Sequence, residues 1–259
     1  MDANRFSKRL GLVWLAMLAC AAADAAEPVR PLALVPGDCA KPGPAMDLRG
    51  CSFAGRRMPG VDLSNARLDG VDLSNAALPG CRLWNTVLIR ANLKWASLVD
   101  CEMSQADLAH ADLFHTTFDG ARLNGARFHR ANMFGANLNE VTAVDADFTH
   151  ACMKDVAMEE GRFDRSDFSN AFMQRAVLIG SSLRGAVFFE AVLTGAALEE
   201  SDLTGADLSR ALVNGAHFND ALLVGADFRD ARLPNAVFDG ADLSGARHLP
   251  TGVAGQASR

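Results

Sequence analysis

The sequence lacks the short motifs that mark many metal, redox and nucleotide sites. No two cysteines are spaced as CxxC, the pattern of many zinc and redox centres. No glycine-rich phosphate loop follows a predicted strand and opens a helix, although the chain contains 22 glycines. These absences predict that the protein holds no cofactor and no metal ion.

The chain also lacks an apolar run long enough to span a bilayer comfortably. Its N-terminal apolar run, Leu10–Ala23, is short and follows the basic residues Arg5, Lys8 and Arg9. This order is typical of an export signal. We predict a signal peptide at residues 1–25, cleavage behind Ala25, and a periplasmic protein without a membrane span.

Two alternatives to simple cleavage exist. The stretch MLAC ends at Cys20 and loosely resembles the lipidation box of bacterial lipoproteins, so a lipid anchor on Cys20 is the first. An uncleaved apolar N-terminus on a cytoplasmic protein is the second. Simple cleavage is the favoured interpretation.

An excess of positive charge is absent as well. The formal net charge is -6, and 49% of the residues are hydrophobic, which is an ordinary composition for a soluble protein with a core. We therefore expect no nucleic-acid partner. Five of the nine prolines fall within residues 26–46, which predicts an extended linker with no fold of its own.

What the chain does contain is a five-residue period. In GVDLSNARLDGVDLSNAALPG, residues 60–80, leucine recurs at positions 63, 68, 73 and 78. A helix spreads residues at this spacing around its axis, and a strand places them on alternating faces. A backbone that changes direction every five residues gathers them into one core, which predicts a solenoid.

The other positions of the period support this interpretation. The large interior class is Phe, Leu, Met or Val from Leu48 to Leu243, except at Ala143. The position two residues before each large interior residue holds a small side chain, except at Arg56, as a narrow interior requires. At the position two residues after each large interior residue, glycine and asparagine are frequent, which indicates a corner with positive φ. The remaining two classes are mostly polar and are predicted to face water.

The period resembles the pentapeptide-repeat family, whose motif is a small residue, Asp or Asn, Leu or Phe, a polar residue, then Gly. SDLTG at residues 201–205 and ADLSG at residues 241–245 match it fully. The resemblance implies an all-β fold, a right-handed quadrilateral β-helix with 20 residues per coil and about ten coils stacked at ~4.8 Å. The helix is predicted at residues 47–247, followed by a C-terminal tail at residues 248–259.

A coil of this length stacks residues that differ by twenty in number. One predicted interior column is Phe128, Phe148, Phe168 and Phe188, and another is Met133, Met153 and Met173. At Ala143 the missing volume is expected to be filled by a large neighbour or by the methionines, with a local distortion of the coil as the competing possibility.

Behind Ala25 five cysteines remain, at positions 39, 51, 81, 101 and 152. Cys51, Cys81 and Cys101 occupy the small interior class, which favours buried free thiols. A disulfide between Cys39 and Cys51 at the start of the fold is the alternative in an oxidising compartment.

The same stacking sorts the outward residues into three surfaces. An acidic edge contains no Lys or Arg and comprises Asp100, Asp119, Glu140, Glu159, Glu160, Glu199, Glu200, Asp220 and Asp239. On the opposite corner and the face that follows lies a candidate partner surface of Arg90, Lys94, Trp95, His110, Phe114, His115, Arg130, Phe134, His150 and Lys154. A second apolar patch comprises Phe172, Phe189, Val192 and Leu212.

The partner surface is the strongest candidate for function, because a cluster of exposed aromatic side chains needs an explanation that a lone one does not. The acidic edge is also explained by a solvated edge that discourages aggregation. His110 and His150 lie two coils apart, ~9.6 Å, too far to share one metal ion directly. Catalysis has little support, since a filled convex prism offers no cleft that excludes water.

Two functions follow as hypotheses. The favoured one is an exported, non-catalytic scaffold that binds an unidentified protein or a copy of itself. The alternative comes from the resemblance: some pentapeptide-repeat proteins mimic duplex DNA with an acidic surface and bind DNA topoisomerases. The export signal and the cationic corner argue against that alternative.

Overall fold

The structure is a computed structural model that describes residues 34–249. The predicted signal peptide, with Cys20, lies outside these residues, as does most of the predicted tail. Two short strands are present, β1 at Val35–Pro36 and β2 at Met46–Asp47, and they pair in parallel. Among the described residues no helix has the length and apolarity needed to cross a membrane.

From β2 onward the backbone is held together by single parallel β-bridges. They begin at Asp47 with Arg67 and end at Asp227 with Arg247, and each joins residues that differ by twenty. A turn follows every bridge position, so that each five-residue unit forms one side and four sides complete one coil. The architecture is a four-sided parallel β-helix, as the resemblance implies.

The hydrogen bonds of one unit show how coils and corners are connected. Leu63 N–H donates to the carbonyl of Arg82 at 2.8 Å, and Asn65 N–H donates to the carbonyl of Trp84 at 2.9 Å, both one coil ahead. Ala66 N–H closes the corner by donating to the carbonyl of Leu63 at 3.0 Å. The same scheme recurs along the helix, so most backbone polar groups are paired despite the near absence of extended strands.

Corners require a backbone conformation that favours glycine. The last residue of each unit has positive φ, for example 66° at Gly60 and 61° at Asn65. This is the third position of a β-turn, where a type II turn requires positive φ. The glycine and asparagine enrichment in the sequence therefore has the predicted physical cause.

The interior consists of the two classes that the period predicts. Consecutive rings among Phe128, Phe148, Phe168 and Phe188 stack at 4.9 to 5.0 Å between centroids, with interplanar angles of 2 to 6°. All four rings are fully buried, as are Met133, Met153 and Met173. The predicted aromatic column and the coil length of twenty are confirmed.

The coil that contains Ala143 keeps its hydrogen bond to the next coil, but the corner that follows differs from the repeating scheme. Ala146 N–H donates to Ser166 Oγ at 3.0 Å, and the Ser166 hydroxyl donates to the carbonyl of Ala143 at 2.5 Å. Ala143 N–H donates to the carbonyl of Arg162 at 2.7 Å, as the scheme requires. The ring of Phe163, next in the same column, lies 6.2 Å from those of Phe148 and Phe168. Gly161 makes room for this ring, because a Cβ there would lie 2.4 Å from it. A large neighbour thus packs here, and the corner after Ala143 is closed through the Ser166 hydroxyl instead of the usual backbone bond.

Arg56 departs from the small interior class because it lies beside the start of the helix. Its guanidinium donates to the carbonyl of Cys39 at 2.8 Å and lies 5.2 Å from the centroid of the Phe53 ring. The side chain therefore contributes to the N-terminal end instead of the core.

The prediction of buried free thiols is wrong for three cysteines. Cys39 is bonded to Cys51, and Cys81 is bonded to Cys101, with Cα–Cα distances of 5.5 and 4.6 Å. The expected burial of Cys51, Cys81 and Cys101 is correct. Cys81 and Cys101 can bond because a separation of twenty residues places them on adjacent coils of one column.

The described part of the proline-rich segment is attached to the helix, in contrast to the expected extended linker. Val35 N–H donates to the carbonyl of Ala45 at 2.9 Å, and the Cys39–Cys51 disulfide joins the segment to the first coil. Gly37 approaches the backbone of Asp47 so closely that a Cβ would lie about 2.1 Å from its carbonyl oxygen. Residues 34–46 therefore form an N-terminal cap, which covers the end of the solenoid.

Candidate functional site

Three of the four corners of the helix carry the predicted surfaces. We call the turns that contain residues 94–95, 114–115, 134–135 and 154–155 the aromatic corner. The preceding turns, with Arg90, His110, Arg130 and His150, form the cationic corner. The acidic corner lies half a coil from the cationic corner and contains the predicted acidic edge, because the bridges place every twentieth residue in one column.

Aromatic rings of adjacent coils stack along the aromatic corner. The rings of Trp95 and His115 lie 4.4 Å apart between centroids at 8°, and those of Phe114 and Phe134 lie 5.5 Å apart at 10°. Edge-to-face contacts join the two stacks, including Trp95 with Phe114 at 5.5 Å and 76°. The four rings form one continuous cluster on the outside of the helix. Trp95 is the most open of them at 56% exposure.

The corner backbone positions these rings. Trp95 and His115 have φ values of 59° and 51°, a region that large side chains rarely adopt. Gly135 follows in the same column, and a Cβ there would lie 2.5 Å from the His115 ring. Glycine at position 135 therefore leaves the space that the imidazole occupies.

Two lysines flank the rings. Lys94 Nζ lies 2.8 Å from Asp112 Oδ2, and this hydrogen bond raises the pKa of Lys94. Lys154 Nζ lies 5.8 Å from the centroid of the Phe134 ring, within the range of a cation–π contact. The cluster is therefore bordered by positive charge at both ends of its phenylalanine stack.

The cationic corner contains a histidine that the sequence-based prediction missed. The His129 ring lies 5.8 Å from that of His110 and 5.6 Å from that of His150. Its Nδ1 is 2.7 Å from the Thr149 hydroxyl oxygen. Burial lowers the pKa of His129, and the neighbouring cations lower it further. Its position directly before Arg130, one residue short of a full coil after His110, was the available signal.

The acidic corner contains poorly satisfied acceptors. Among the described residues, Asp119 Oδ1, Glu199 Oε2 and Asn219 Oδ1 are buried without a hydrogen-bond donor. Burial raises the pKa of Asp119, and the charges of Glu140 and Asp100 add to the rise. No group of three or more His, Cys, Asp or Glu side chains within residues 34–249 is arranged to hold a metal ion.

The predicted second apolar patch forms a continuous row. Phe172 bridges to Val192, which bridges to Leu212, and all three are half-buried outward residues. Phe189 lies at the adjacent turn, with the Arg210 guanidinium 5.5 Å from its ring centroid. Trp84, 47% exposed, was missed, although its outward class in the period could have indicated it.

Comparison with protein families agrees with the architecture. A family profile described as a pentapeptide repeat region matches residues 71–148. A second profile, described as pentapeptide repeats in eight copies, matches residues 47–85, 173–210, 181–220 and 214–247. A search of curated proteins gave no match.

Several solved structures are similar to this chain. HetL, a pentapeptide repeat protein involved in heterocyst differentiation regulation from the cyanobacterium Nostoc sp. strain PCC 7120, is 28% identical, with 77% of this chain and 89% of that chain covered and a TM-score of 0.48. QnrB1, a plasmid-mediated fluoroquinolone resistance protein, is 16% identical, with 71% and 92% covered and a TM-score of 0.47.

A pentapeptide repeat protein from the thylakoid lumen of Arabidopsis thaliana is 25% identical, with 42% of this chain and 75% of that chain covered and a TM-score of 0.38. The family assignment rests on the profile matches and on the five-residue period, which runs through the bridged part of the chain. The chain belongs to the pentapeptide-repeat family.

Proposed function

We propose that this protein is an exported, non-catalytic scaffold that binds a protein partner through its aromatic corner. The proposed helix is right-handed and has about ten coils, which is the number that residues 47–247 would form at 20 residues per coil. The observation that carries it is the stacked cluster of Trp95, Phe114, His115 and Phe134 on the outer surface.

The cluster has the properties of a binding anchor. Interfaces are enriched in aromatic residues, and a few well-packed side chains carry most of the binding energy. Its rings project from a corner held by hydrogen bonds to both neighbouring coils, so little conformational freedom is lost when a partner binds. Exposed ion pairs contribute less than ~1 kcal/mol each, whereas a buried anchor contributes ~2 kcal/mol or more.

The proposed scaffold is non-catalytic because of the shape of the helix. Interior positions are filled by packed side chains, and the surface is made of flat sides and tight turns. Such a surface does not enclose a substrate or exclude water from reacting atoms.

Substitutions on two surfaces test the proposal. Replacing Trp95, Phe114 and Phe134 together by alanine should weaken partner capture from the exported fraction at least about tenfold. Neutralising Glu159, Glu160, Glu199 and Glu200 to glutamine should change it little. Circular dichroism of both variants checks that the fold is retained.

The reverse order of effects favours the alternative function, a DNA mimic that binds a topoisomerase through the acidic corner. Purified topoisomerase provides a direct measurement for that alternative. Binding that is lost in the glutamine variant and retained in the alanine variant would overturn the scaffold proposal.

A further inference from the structure

The second apolar patch lies on the face between the columns of the cationic and aromatic corners, on later coils than either corner cluster. Its central row is Phe172, Val192 and Leu212, which are half-buried outward residues at bridge positions. Earlier coils of the same column hold Asp72 and Asp112. The fold of one molecule therefore accepts carboxylates at this position. An apolar row here needs an explanation beyond the single chain.

The two borders of the row differ. On one border Arg210 Nη2 lies 2.7 Å from Glu190 Oε1, and the same guanidinium lies 5.5 Å from the centroid of the Phe189 ring. On the other border Gly195 and Gly215 form the corners, with positive φ values of 66° and 63°. Another surface can cover the row without isolating either charge of the ion pair, because each keeps its partner.

We propose that this face binds the same face of a second copy of this chain, in an antiparallel two-fold dimer. The symmetry axis lies between Val192 and Leu212, at right angles to the helix. The inference goes beyond the proposed function, which uses the aromatic corner on other coils. Each Val192 then packs on the Leu212 side chain of the other copy, and the centre of the apolar row is removed from water.

Charge complementarity favours this arrangement. Glu190 lies on the coil of Val192, and Arg210 lies on the coil of Leu212, both on the same border. The axis therefore places Glu190 of each copy opposite Arg210 of the other, and the four side chains alternate in sign. An axis through Val192 places Glu190 against Glu190. A parallel dimer places both charges against the glycine border.

Side-chain size also matches across the axis. Phe189 of one copy lies opposite Ser209 of the other, so a long side chain meets a short one. Gly195 lies opposite Gly215, and neither residue has a side chain that would separate the two corners. The space beside Gly215 is open within one chain, since a Cβ there would contact nothing within 4 Å. Both borders can therefore approach closely, as a well-packed interface requires.

The dimer leaves both aromatic corners uncovered. With the axis between Val192 and Leu212, the two copies overlap from the coil of residue 172 to the coil of residue 232. The stacked rings lie on earlier coils, between residues 95 and 134. The dimer therefore presents two aromatic corners at its opposite ends, and a partner with two matching sites is bound with avidity.

Sedimentation velocity of the purified chain at increasing concentration measures the association. The wild type should form dimers and no larger species, because a two-fold contact closes on itself. Val192→Asp should weaken dimerisation at least about tenfold, since it places a carboxylate in the apolar centre. The fold should be retained, as Asp72 and Asp112 occupy the same column. The matched control, Val177→Asp, changes a half-buried outward valine on the adjacent face and should dimerise as the wild type does.

Charge reversal tests the orientation of the two copies. Glu190→Arg brings four arginines together at the axis, and Arg210→Glu brings four glutamates together, so each variant alone should be monomeric. An equimolar mixture of the two variants should form a mixed dimer, because every arginine then meets a glutamate. Arg175 and Glu200 show that both residue types are compatible with the positive φ of these corners.

Several results overturn the inference. They are a monomeric wild type, species larger than a dimer, a Val192→Asp variant that dimerises as the wild type does, and a mixture of the charge variants that does not associate. A monomeric wild type that loses capture of another protein on Val192→Asp substitution assigns the patch to that protein and overturns the inference too.

The two proposals fail separately. Alanine at positions 95, 114 and 134 should weaken partner capture and leave the dimer intact, because these rings lie outside the overlap. A monomeric wild type that still captures a partner through its aromatic corner overturns the dimer alone and leaves the proposed function intact.

Discussion

Trp95 and His115 show what the corner conformation demands of single residues. Their positive φ values of 59° and 51° are unfavourable for side chains that branch into large rings. The ring stack between them, at 4.4 Å, is a compensating contact that many other corner positions lack.

Two substitutions at position 95 separate the backbone effect from the loss of the ring. Trp95→Asn and Trp95→Ala both remove the stack, but asparagine tolerates positive φ better than alanine. We expect the asparagine variant to be more stable by about 0.5–1 kcal/mol, measured as the free energy of unfolding in urea. If the two variants are equally stable, the backbone strain assigned to position 95 is contradicted. The same pair at Trp84, which does not occupy a positive-φ position, serves as the control.

Asp164 is a buried carboxylate whose charge is stabilised in the fold. Burial raises its pKa, but hydrogen bonds from the Ser182 hydroxyl and the Arg162 guanidinium outweigh this effect, and the net pKa is lowered. A carboxylate with a lowered pKa contributes stability above its unfolded value, near 3.8, and that contribution disappears as pH falls through the folded pKa.

Asp164→Asn tests this assignment. The variant should be less stable than the wild type by about 1–3 kcal/mol at neutral pH, because hydrogen bonds to a charged group are lost. The difference should shrink below pH 3.8 as the wild-type carboxylate becomes protonated. Urea unfolding at a series of pH values measures it. Asp239→Asn, at an exposed acidic residue outside this network, is the control, and a difference that persists at low pH contradicts the assigned cause.

At the scale of elements, the sequence predicts the repeating coils better than the N-terminal cap. The five-residue period determines which residues face inward, since a backbone turning at each fifth residue buries the classes of Leu63 and Ala66 in most units. The pairing of β1 with β2 was not predictable, because residues 34–46 carry no period and their proline content indicates only restricted backbone angles.

The bonding of cysteines could not be derived from residue classes either. Cys81 and Cys101 fit the small interior class, and this class predicts burial without distinguishing a thiol from a disulfide. Their separation of twenty residues places them in one column, which was an available signal. His129 was overlooked for a related reason, since burial of its ring depends on the neighbouring His110 and His150 side chains.

The Cys39–Cys51 disulfide should determine the stability of the N-terminal cap. Removing it by Cys39→Ser with Cys51→Ser should cost about 3 kcal/mol, as expected for a loop of 12 residues. The thermal midpoint of the wild type should fall in mild reductant, while that of the double variant should not.

The second disulfide supplies the control for that experiment. Cys81 and Cys101 are buried, so mild reductant should not reach them in the native protein. Cys81→Ser with Cys101→Ser should therefore leave the response to reductant intact. If this variant does not respond, the cap disulfide is not the source of the effect.

At the scale of the whole molecule, the export prediction determines the compartment in which either disulfide can persist. Fractionation of cells and mass analysis of the mature N-terminus should find the chain in the periplasm, beginning at residue 26. Leu15→Arg, in the middle of the apolar run, should retain the precursor in the cytoplasm. A lipid-modified Cys20 would contradict simple cleavage, and an intact N-terminus in the cytoplasm would contradict export.

The spacing of twenty between bridged residues has a consequence for insertions and deletions. A change of twenty residues removes or adds one coil and leaves every downstream side chain on its original face. A change of five keeps the core classes in phase but rotates all downstream surface residues by a quarter turn, which moves a binding corner to a new side of the same prism. A change of one residue exchanges interior and exterior throughout the remaining chain. The surface of this protein can therefore be rearranged in steps of a quarter turn while the same residue classes continue to face the core.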